Sequence, residues 1–241
     1  MNTLKNSQTT VMKNDIEVVS FNESLWAAEI KLPDSIIDYF WKQIEVAKNK
    51  NIDVKDTLAG NISSSLLLED PEKVVENDIF PSLERTGAIP FWDTINQVFS
   101  RVWDNQTPLT FQAHLSTFWV NFQKKYEFNP LHKHLGMFSF VVWMKIPYSW
   151  EDEKESPLVK GTTNENAVGN FQVIYPAGGT IGLTSWQMSP KLEGTMLLFP
   201  SNLMHMVNPF YTSDEERITI SGNVYYSPPL ALAKQSKGFG N

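Results

Sequence analysis

The pattern of hydrophobic and polar positions divides this chain into two regions with different periodicity. Up to about residue 104 the longer apolar patterns recur at helical spacing, and beyond residue 110 apolar residues come in short runs separated by Pro, Gly and Asn. The clearest helical stripe follows Pro33 and consists of Ile36, Ile37, Phe40, Trp41 and Ile44. A second helix is predicted from Pro90 to Trp103, and two short strands are predicted between Asp15 and Lys31. Helices therefore dominate the first region and strands the second.

The second region contains at least five strand-like segments. They read FQAHLSTFWVNFQKK, MFSFVVWMKI, NFQVIYP, GTMLLFP and RITISGNVYY. This order predicts an α+β, mainly β protein: a double-stranded β-helix, or jelly roll, buttressed by N-terminal helices. The polar stretch 149–170 interrupts the strands and is predicted to be a long loop, of the kind that often forms a lid.

One domain accounts for the 241 residues. We expect it to span residues 15–228, with helical support over about 33–104 and a β core over about 110–227. Residues 1–14 are expected to be disordered, and residues 229–241 to form a C-terminal tail.

Composition and charge exclude several kinds of binding and catalytic site. Hydrophobic residues make up 41% of the chain and aromatic residues 12%, which is typical of a folded protein. The net charge of −7 is spread along the chain, so there is no evident surface for duplex nucleic acid. Cysteine is absent, which excludes disulfides, thiolate metal sites and cysteine nucleophiles. Any metal must be held by His and carboxylate side chains.

The N-terminal residues lack the apolar core of a secretory signal, and no apolar run approaches the length of a membrane span. These observations predict a cytoplasmic protein with no membrane partner, located in the host cytoplasm if the gene belongs to a phage. Its oligomeric state is not indicated.

The candidate chemistry begins with two histidines one residue apart in NPLHKHLG. Alternate residues of a strand point to the same face, so His132 and His134 can bind one ion together. Such a pair is also compatible with ordinary hydrogen-bonded histidines. A third histidine, His205, follows the apolar strand Gly194 to Phe199, and a jelly roll can bring it beside the other two. Three ligands leave coordination positions open for catalysis. His114 has no partner by spacing and is expected to be structural.

The strand after His205 alternates strictly. Arg217, Thr219, Ser221 and Asn223 share one face, and Ile218, Ile220 and Val224 share the other. In an exposed edge strand this is the ordinary pattern with polar residues facing solvent. Beside a metal, Arg217 with a hydroxyl two residues on forms a fork for a carboxylate.

In combination, the HxH pair, the stretch LLFPSNLMHMVNP and the segment ERITISGN resemble the 2-oxoglutarate- and Fe(II)-dependent oxygenases, in particular members from bacteria and their phages. The resemblance covers about residues 110–226. It implies an enzyme that uses Fe(II), 2-oxoglutarate and O2 to hydroxylate a C–H bond, with release of succinate and CO2. It also implies that His132 and His205 are iron ligands and that Arg217 holds the distal carboxylate of 2-oxoglutarate, assisted by Thr219 or Ser221.

Asn121 and Gln123, on the strand before HxH, are candidate partners for the other end of 2-oxoglutarate. The sequence departs from the superfamily at His134, where the usual second ligand is a carboxylate, although members of the phage type often have His there. A neutral imidazole in place of the usual carboxylate gives the site one negative charge fewer. Alternatively, His134 points away and a carboxylate such as Glu127 or Asp214 coordinates.

Two other functions fit parts of the pattern. A cupin-type dioxygenase or isomerase without 2-oxoglutarate would use the same three histidines, but cupins usually have a Glu soon after HxH, and LGMFSF lacks one. A non-enzymatic viral jelly-roll protein would need none of this chemistry. The substrate is left open among small molecules, peptides and nucleotides.

Overall fold

The computed structural model describes residues 10–91, 93–94, 112–160 and 167–227. Its α-helices that lie wholly within these residues are α1 (Asp34–Lys50), α2 (Phe80–Thr86) and α3 (Trp150–Glu155). Three strands precede the C-terminal region, namely β1 (Ile16–Ser20), β2 (Trp26–Lys31) and β3 (Ser64–Leu67). Eight strands follow: β4 (Gln112–Gln123), β5 (Asn129–His132), β6 (Phe138–Lys145), β7 (Phe171–Ala177), β8 (Thr180–Trp186), β9 (Thr195–Pro200), β10 (Met204–Val207) and β11 (Arg217–Ser227).

The strands form two antiparallel sheets. The large sheet has the order β1-β2-β9-β6-β11-β4-β3, and the small sheet has the order β5-β10-β7-β8. Strands β4 to β11 pass repeatedly between the two sheets, which makes them the eight strands of a double-stranded β-helix. The predicted fold class is confirmed.

Two apolar layers hold this arrangement together. On one side of the large sheet, α1 and α2 pack against β2, β4, β6 and β11 through buried residues that include Phe40, Phe80, Phe118 and Ile220. Between the two sheets, a second cluster contains Trp143, Phe171, Val173 and Phe199. Strand β6 contributes to both layers, because its residues Phe138 to Met144 are all buried. It was predicted from its nearly continuous apolar sequence to be a strand buried on both sides.

Several expectations need correction. The two strands predicted between Asp15 and Lys31 are present as β1 and β2, but together with β3 they belong to the large sheet, so the β core is not confined to about 110–227. The stretch 149–170 is not all loop, because Ser149 caps α3 by accepting a hydrogen bond from the backbone N–H of Asp152. Residues 10–14 are not entirely frayed, since the apolar Val11 is buried in the core.

Three predictions fall largely on residues that the structure does not describe. They are the terminal segments 1–9 and 229–241, the greater part of the second helix over 90–103, and part of the proposed lid at 161–166. Among the described helices, none is both long enough and apolar enough to cross a membrane.

Candidate metal centre and cosubstrate site

Three histidines come together at the edge of the space between the two sheets. His132 ends β5 and His205 lies on β10, and the two are directly opposite each other in antiparallel register. His134 follows β5, and its backbone N–H donates to the carbonyl of Ser201 at 2.9 Å. The potential ligand atoms of the three imidazoles all lie within 4.8 Å of one another. One metal ion can therefore contact all three rings.

The imidazoles of His132 and His205 are oriented by main-chain carbonyls. Nδ1 of His132 is 2.7 Å from the carbonyl oxygen of Pro130, and Nδ1 of His205 is 2.9 Å from that of Leu203. A carbonyl oxygen only accepts, so Nδ1 carries the proton in each ring and Nε2 has its lone pair free for a metal. His134 has no such bond among the described residues. Its ring instead lies 5.9 Å from that of Trp119, centroid to centroid.

The surroundings keep these rings uncharged. Burial lowers the pKa of His132, and burial together with the neighbouring His132 lowers the pKa of His134 to about 4. Burial, reinforced by both other histidines, lowers the pKa of His205 well below its ordinary value. Neutral imidazole is the form that binds metals, so the cluster is ready for a cation at neutral pH.

The two carboxylates considered as alternative ligands do not join this cluster. Glu127 accepts hydrogen bonds from the backbone N–H groups of Ser63 and Lys124. Asp214 is exposed and pairs with Lys125. Among the described residues, the three histidines are the one group of three or more potential ligands within metal-binding distance. The site is therefore rich in imidazole and lacks a carboxylate.

A second feature lies on the same side of the large sheet, along the paired strands β4 and β11. Cross-strand pairs run from Arg217 and Gln123 through Thr219 and Asn121 to Ser221 and Trp119, and end with Asn223 and Thr117. Because these residues are spaced by two, all of them lie on one face of the sheet. We call this row of pairs the polar ladder. Strand β11 lies between β4 and β6, so it is a central strand and not an exposed edge.

Arg217 is buried at one end of the polar ladder, with 2% of its surface exposed. Its Nη1 donates to the hydroxyl of Tyr148 at 2.5 Å and to the carbonyl of Gly169 at 3.0 Å, and its Nη2 donates to Oε1 of Gln123. These bonds use three of the five N–H groups of a guanidinium. Its Nε has no partner. No carboxylate in the described part of the chain forms an ion pair with it.

A buried cation without a counter-ion is costly, so the site is built for an anion. A narrow cavity of about 40 Å³ joins Arg217 to the histidines. It is lined by His132 and His205 and by the predicted cosubstrate residues Asn121, Gln123, Arg217, Thr219 and Ser221. Except for His134, the structure thus places around one cavity the residues that the sequence pattern singled out.

Gln123 and Asn121 differ from their predicted places. Gln123 lies at the Arg217 end of the cavity, where β4 ends and β11 begins, and not at the metal end. Asn121 accepts a hydrogen bond from Ser65 at 2.7 Å and lies 3.5 Å from the hydroxyl of Thr219. Ser65 belongs to strand β3, far from Asn121 in the sequence, so the contact between these two residues could not be inferred from the sequence motifs.

Sequence reasoning missed Tyr148 and Gly169. The Tyr148 hydroxyl donates to the carbonyl of Gly169 at 2.6 Å while it accepts from Arg217. Burial is the main cause that raises the pKa of Tyr148, so the phenol stays protonated. Gly169 has φ +69°, and a Cβ at this position would lie 2.7 Å from Cε2 of Tyr148. A glycine late in a polar loop is a weak signal by itself.

On the other side of the histidines, a large open groove begins. Its volume is about 770 Å³, and it is lined by His132 and His134 together with Leu67, Trp119, Leu135 and Tyr225. His205 and Arg217 do not line it. The metal cluster therefore separates a narrow, buried cavity from a wide, accessible groove.

Comparison with known proteins agrees with this geometry. Residues 117–223, which contain the three histidines and Arg217, match the family model described as "Putative 2OG-Fe(II) oxygenase". This match supports the 2OG-Fe(II) oxygenase superfamily for this part of the chain. The superfamily assignment implies Fe(II), 2-oxoglutarate and O2 as cofactors. No curated protein sequence matches the chain significantly.

Solved structures of 2OG-Fe(II) oxygenases show only distant similarity. A prolyl-4-hydroxylase from Pseudomonas putida is 14% identical with a TM-score of 0.42, covering 86% of this chain and 90% of its own. A Trichoplax adhaerens prolyl hydroxylase, in complex with a hypoxia inducible factor peptide fragment, is 12% identical with a TM-score of 0.43, covering 94% and 88%. A 2OG-Fe(II) oxygenase family oxidoreductase from Burkholderia pseudomallei is 12% identical with a TM-score of 0.34, covering 87% and 72%. At such low identity and TM-score, these structures say nothing about the substrate of this chain.

Proposed function

We propose that this protein is a 2-oxoglutarate-dependent hydroxylase that holds Fe(II) with His132, His134 and His205. The observation that supports this most strongly is the buried Arg217, which lacks a carboxylate partner and shares a cavity with His132 and His205. The histidines alone would suit many metalloproteins. A buried guanidinium in the same cavity suits a cosubstrate with one carboxylate at each end.

The two ends of 2-oxoglutarate meet different groups in this proposal. The distal carboxylate takes the N–H groups of Arg217 that are still free, including that of Nε. Thr219 and Ser221, on the same face of β11, offer hydroxyl donors between Arg217 and the histidines. Because Gln123 now accepts from Arg217 and the cavity holds only about 40 Å³, the Gln123 side chain must turn aside when the dicarboxylate binds.

When bound at the histidines, Fe(II) with 2-oxoglutarate and O2 supplies the oxidant for C–H hydroxylation, with release of succinate and CO2. The protein's own contribution is positioning and exclusion of water. Phe171 stacks on His205, with ring centroids 5.7 Å apart, and Phe199 meets the same ring edge-on at 4.9 Å. These aromatic rings cover His205 on the cosubstrate side, and because the metal and cosubstrate supply the oxidant, no side chain is needed as an acid or base.

The test is succinate formation by the purified chain with Fe(II), 2-oxoglutarate and O2, which uncoupled turnover allows without a known substrate. Binding of 2-oxoglutarate to the anaerobic Fe(II) protein, followed by its visible charge-transfer absorption, is the parallel measurement. A metal-loaded protein that binds no 2-oxoglutarate and forms no succinate contradicts the proposal. The cupin-type alternative predicts metal binding without any 2-oxoglutarate signal.

A further inference from the structure

The described lining of the large groove beside His134 contains two carboxylates and two lysines, and the carboxylates have more hydrogen-bond partners than the lysines. Its two carboxylates are fully engaged. Asp70 accepts hydrogen bonds from the Tyr39 hydroxyl at 2.7 Å and from the backbone N–H groups of Val74 and Val75 at 2.9 Å. Glu76 accepts from the backbone N–H of Leu115 at 2.9 Å and from Lys73 at 3.3 Å. All four oxygens of these two carboxylates therefore already accept at least one hydrogen bond.

The lysines of the groove are less engaged. Lys73 makes only the contact with Glu76, with 65% of its side chain exposed. Lys133, between the two histidines of HxH, lines the groove and makes no hydrogen bond or ion pair with any described residue. Lys133 is therefore the one charged side chain of the described lining without a hydrogen-bond or ion-pair partner, and in the sequence it stands between His132 and His134.

Neutral polar groups in the groove also leave donors free. The amide of Asn223 donates to Thr117 Oγ1 at 2.7 Å, and its oxygen accepts from Ser139 at 2.7 Å. The Thr117 hydroxyl proton and the second amide proton of Asn223 therefore have no partner among the described residues. These donors suit a ligand that carries acceptor atoms.

The rest of the groove is apolar and elongated. Leu135 is 81% exposed, Tyr225 42% and Leu67 37%, so three of its large hydrophobic side chains are open to a ligand. The groove follows β4 from Leu115 to Trp119, a distance of about 13 Å at the rise of a strand. Exposed apolar side chains that share a concave surface are typical of a binding site.

We infer that the substrate is an elongated organic anion: an apolar body that lies along β4, with a carboxylate held by Lys133 beside the metal. The inference rests on the proposed function only in that the histidines mark the reacting end. A cationic substrate is disfavoured because every carboxylate oxygen of the described lining already accepts a hydrogen bond, whereas the Lys133 ammonium has no partner among the described residues. Hydroxylation is then expected on carbons near the carboxylate, where the chain passes His134.

The experiment measures binding of three probes with the same chain and different ends: decanoate, decan-1-ol and decylamine. Isothermal titration is carried out on the full chain, anaerobically, with Fe(II) and 2-oxoglutarate and again without them. We expect decanoate to bind about tenfold more tightly than decylamine, because only the carboxylate gains the lysine. Equal or tighter binding of decylamine, or no binding of any probe, overturns the inference.

Substitutions in and outside the groove test which residue contacts the carboxylate of decanoate. Lys133→Ala is expected to weaken decanoate binding about fivefold, to the level of decan-1-ol, whereas Lys133→Arg retains it. Lys42→Ala removes the same charge from an exposed position of α1 and should have no effect. Leu135→Glu places a negative charge in the apolar wall and should weaken decanoate while leaving decylamine unchanged or tighter. Decanoate binding that survives Lys133→Ala unchanged also overturns the inference.

These outcomes are separable from those of the proposed function. Decanoate binding by a metal-loaded protein that binds no 2-oxoglutarate and forms no succinate would refute the oxygenase and leave the groove assignment intact. Succinate formation with no preference for the anionic probe would do the reverse.

Discussion

The two ends of the polar ladder are built in different ways. At the Arg217 end, one hydrogen-bonded cluster in the interior contains the guanidinium, the Tyr148 hydroxyl, the Gly169 carbonyl and Gln123. At the Asn223 end, the same two strands open into a groove with exposed apolar side chains. The rigid end suits a constant cosubstrate, and the open end suits recognition of a particular substrate. Substitutions at the two ends should therefore have different consequences.

The largest expected effect is at Arg217. Arg217→Ala removes the only cation of the described cavity lining, and 2-oxoglutarate affinity should fall on the order of 100-fold, from a loss of about 2–3 kcal/mol. Titration of the anaerobic Fe(II) protein with 2-oxoglutarate measures this. Arg217→Lys should recover only part of the affinity, because an ammonium group lacks the planar fork. Metal affinity within about threefold of the parent shows that each variant is folded, and an unchanged 2-oxoglutarate affinity would refute the assignment.

A smaller difference is expected within the histidine cluster. His132 and His205 are each oriented by a carbonyl, and His134 is not, so His134→Ala should weaken metal binding about tenfold less than His205→Ala. Competition with a metal-binding dye measures the affinities. His114→Ala is the matched control, since that exposed histidine bonds to Ser227 and lies outside the cluster. Equal losses at His134 and His205 would show that the carbonyl contacts do not matter.

Gly169 tests how the rigid end is supported. Gly169→Ala combines a left-handed backbone, with φ +69°, and a clash with Tyr148, and should lower the free energy of unfolding by about 2–3 kcal/mol. Gly178→Ala is the control, because φ is +57° there and nothing lies within 4 Å of the added Cβ, so only about 1 kcal/mol is expected. Urea unfolding gives both values. If the two losses are the same, Tyr148 yields to the added methyl group at no cost.

The smallest effect on stability is expected at the open end. Leu135→Ala removes a side chain that is 81% exposed, and the free energy of unfolding should change by less than about 0.5 kcal/mol. Urea unfolding beside Gly169→Ala makes the comparison direct. A larger loss would mean that Leu135 packs against part of the chain and is not free to contact a ligand.

Much of the architecture was predictable from local pattern. The helical stripe after Pro33 became α1, and all five predicted strand segments are strands. The short strands β8 and β10 were missed because four to seven residues with mixed polarity carry little periodic signal. Strands β1 and β2 were predicted, but their place in the large sheet was not, since the pairing of β2 with β9 and of β3 with β4 depends on contacts that no local pattern contains.

The sequence by itself determined which side chains could do chemistry. Spacing by two put Arg217 with Thr219 and Ser221, because a strand alternates its faces. The same spacing singled out His132 and His134, although His134 lies beyond the end of β5. Only the tertiary structure decided that His205 lies opposite His132 and that Arg217 is held by Tyr148 and Gly169. It also decided that the histidines divide a buried cavity from an open groove. These relations join residues that are tens of positions apart, and they arise when the sheets close over each other, which the periodicity of a single strand does not specify.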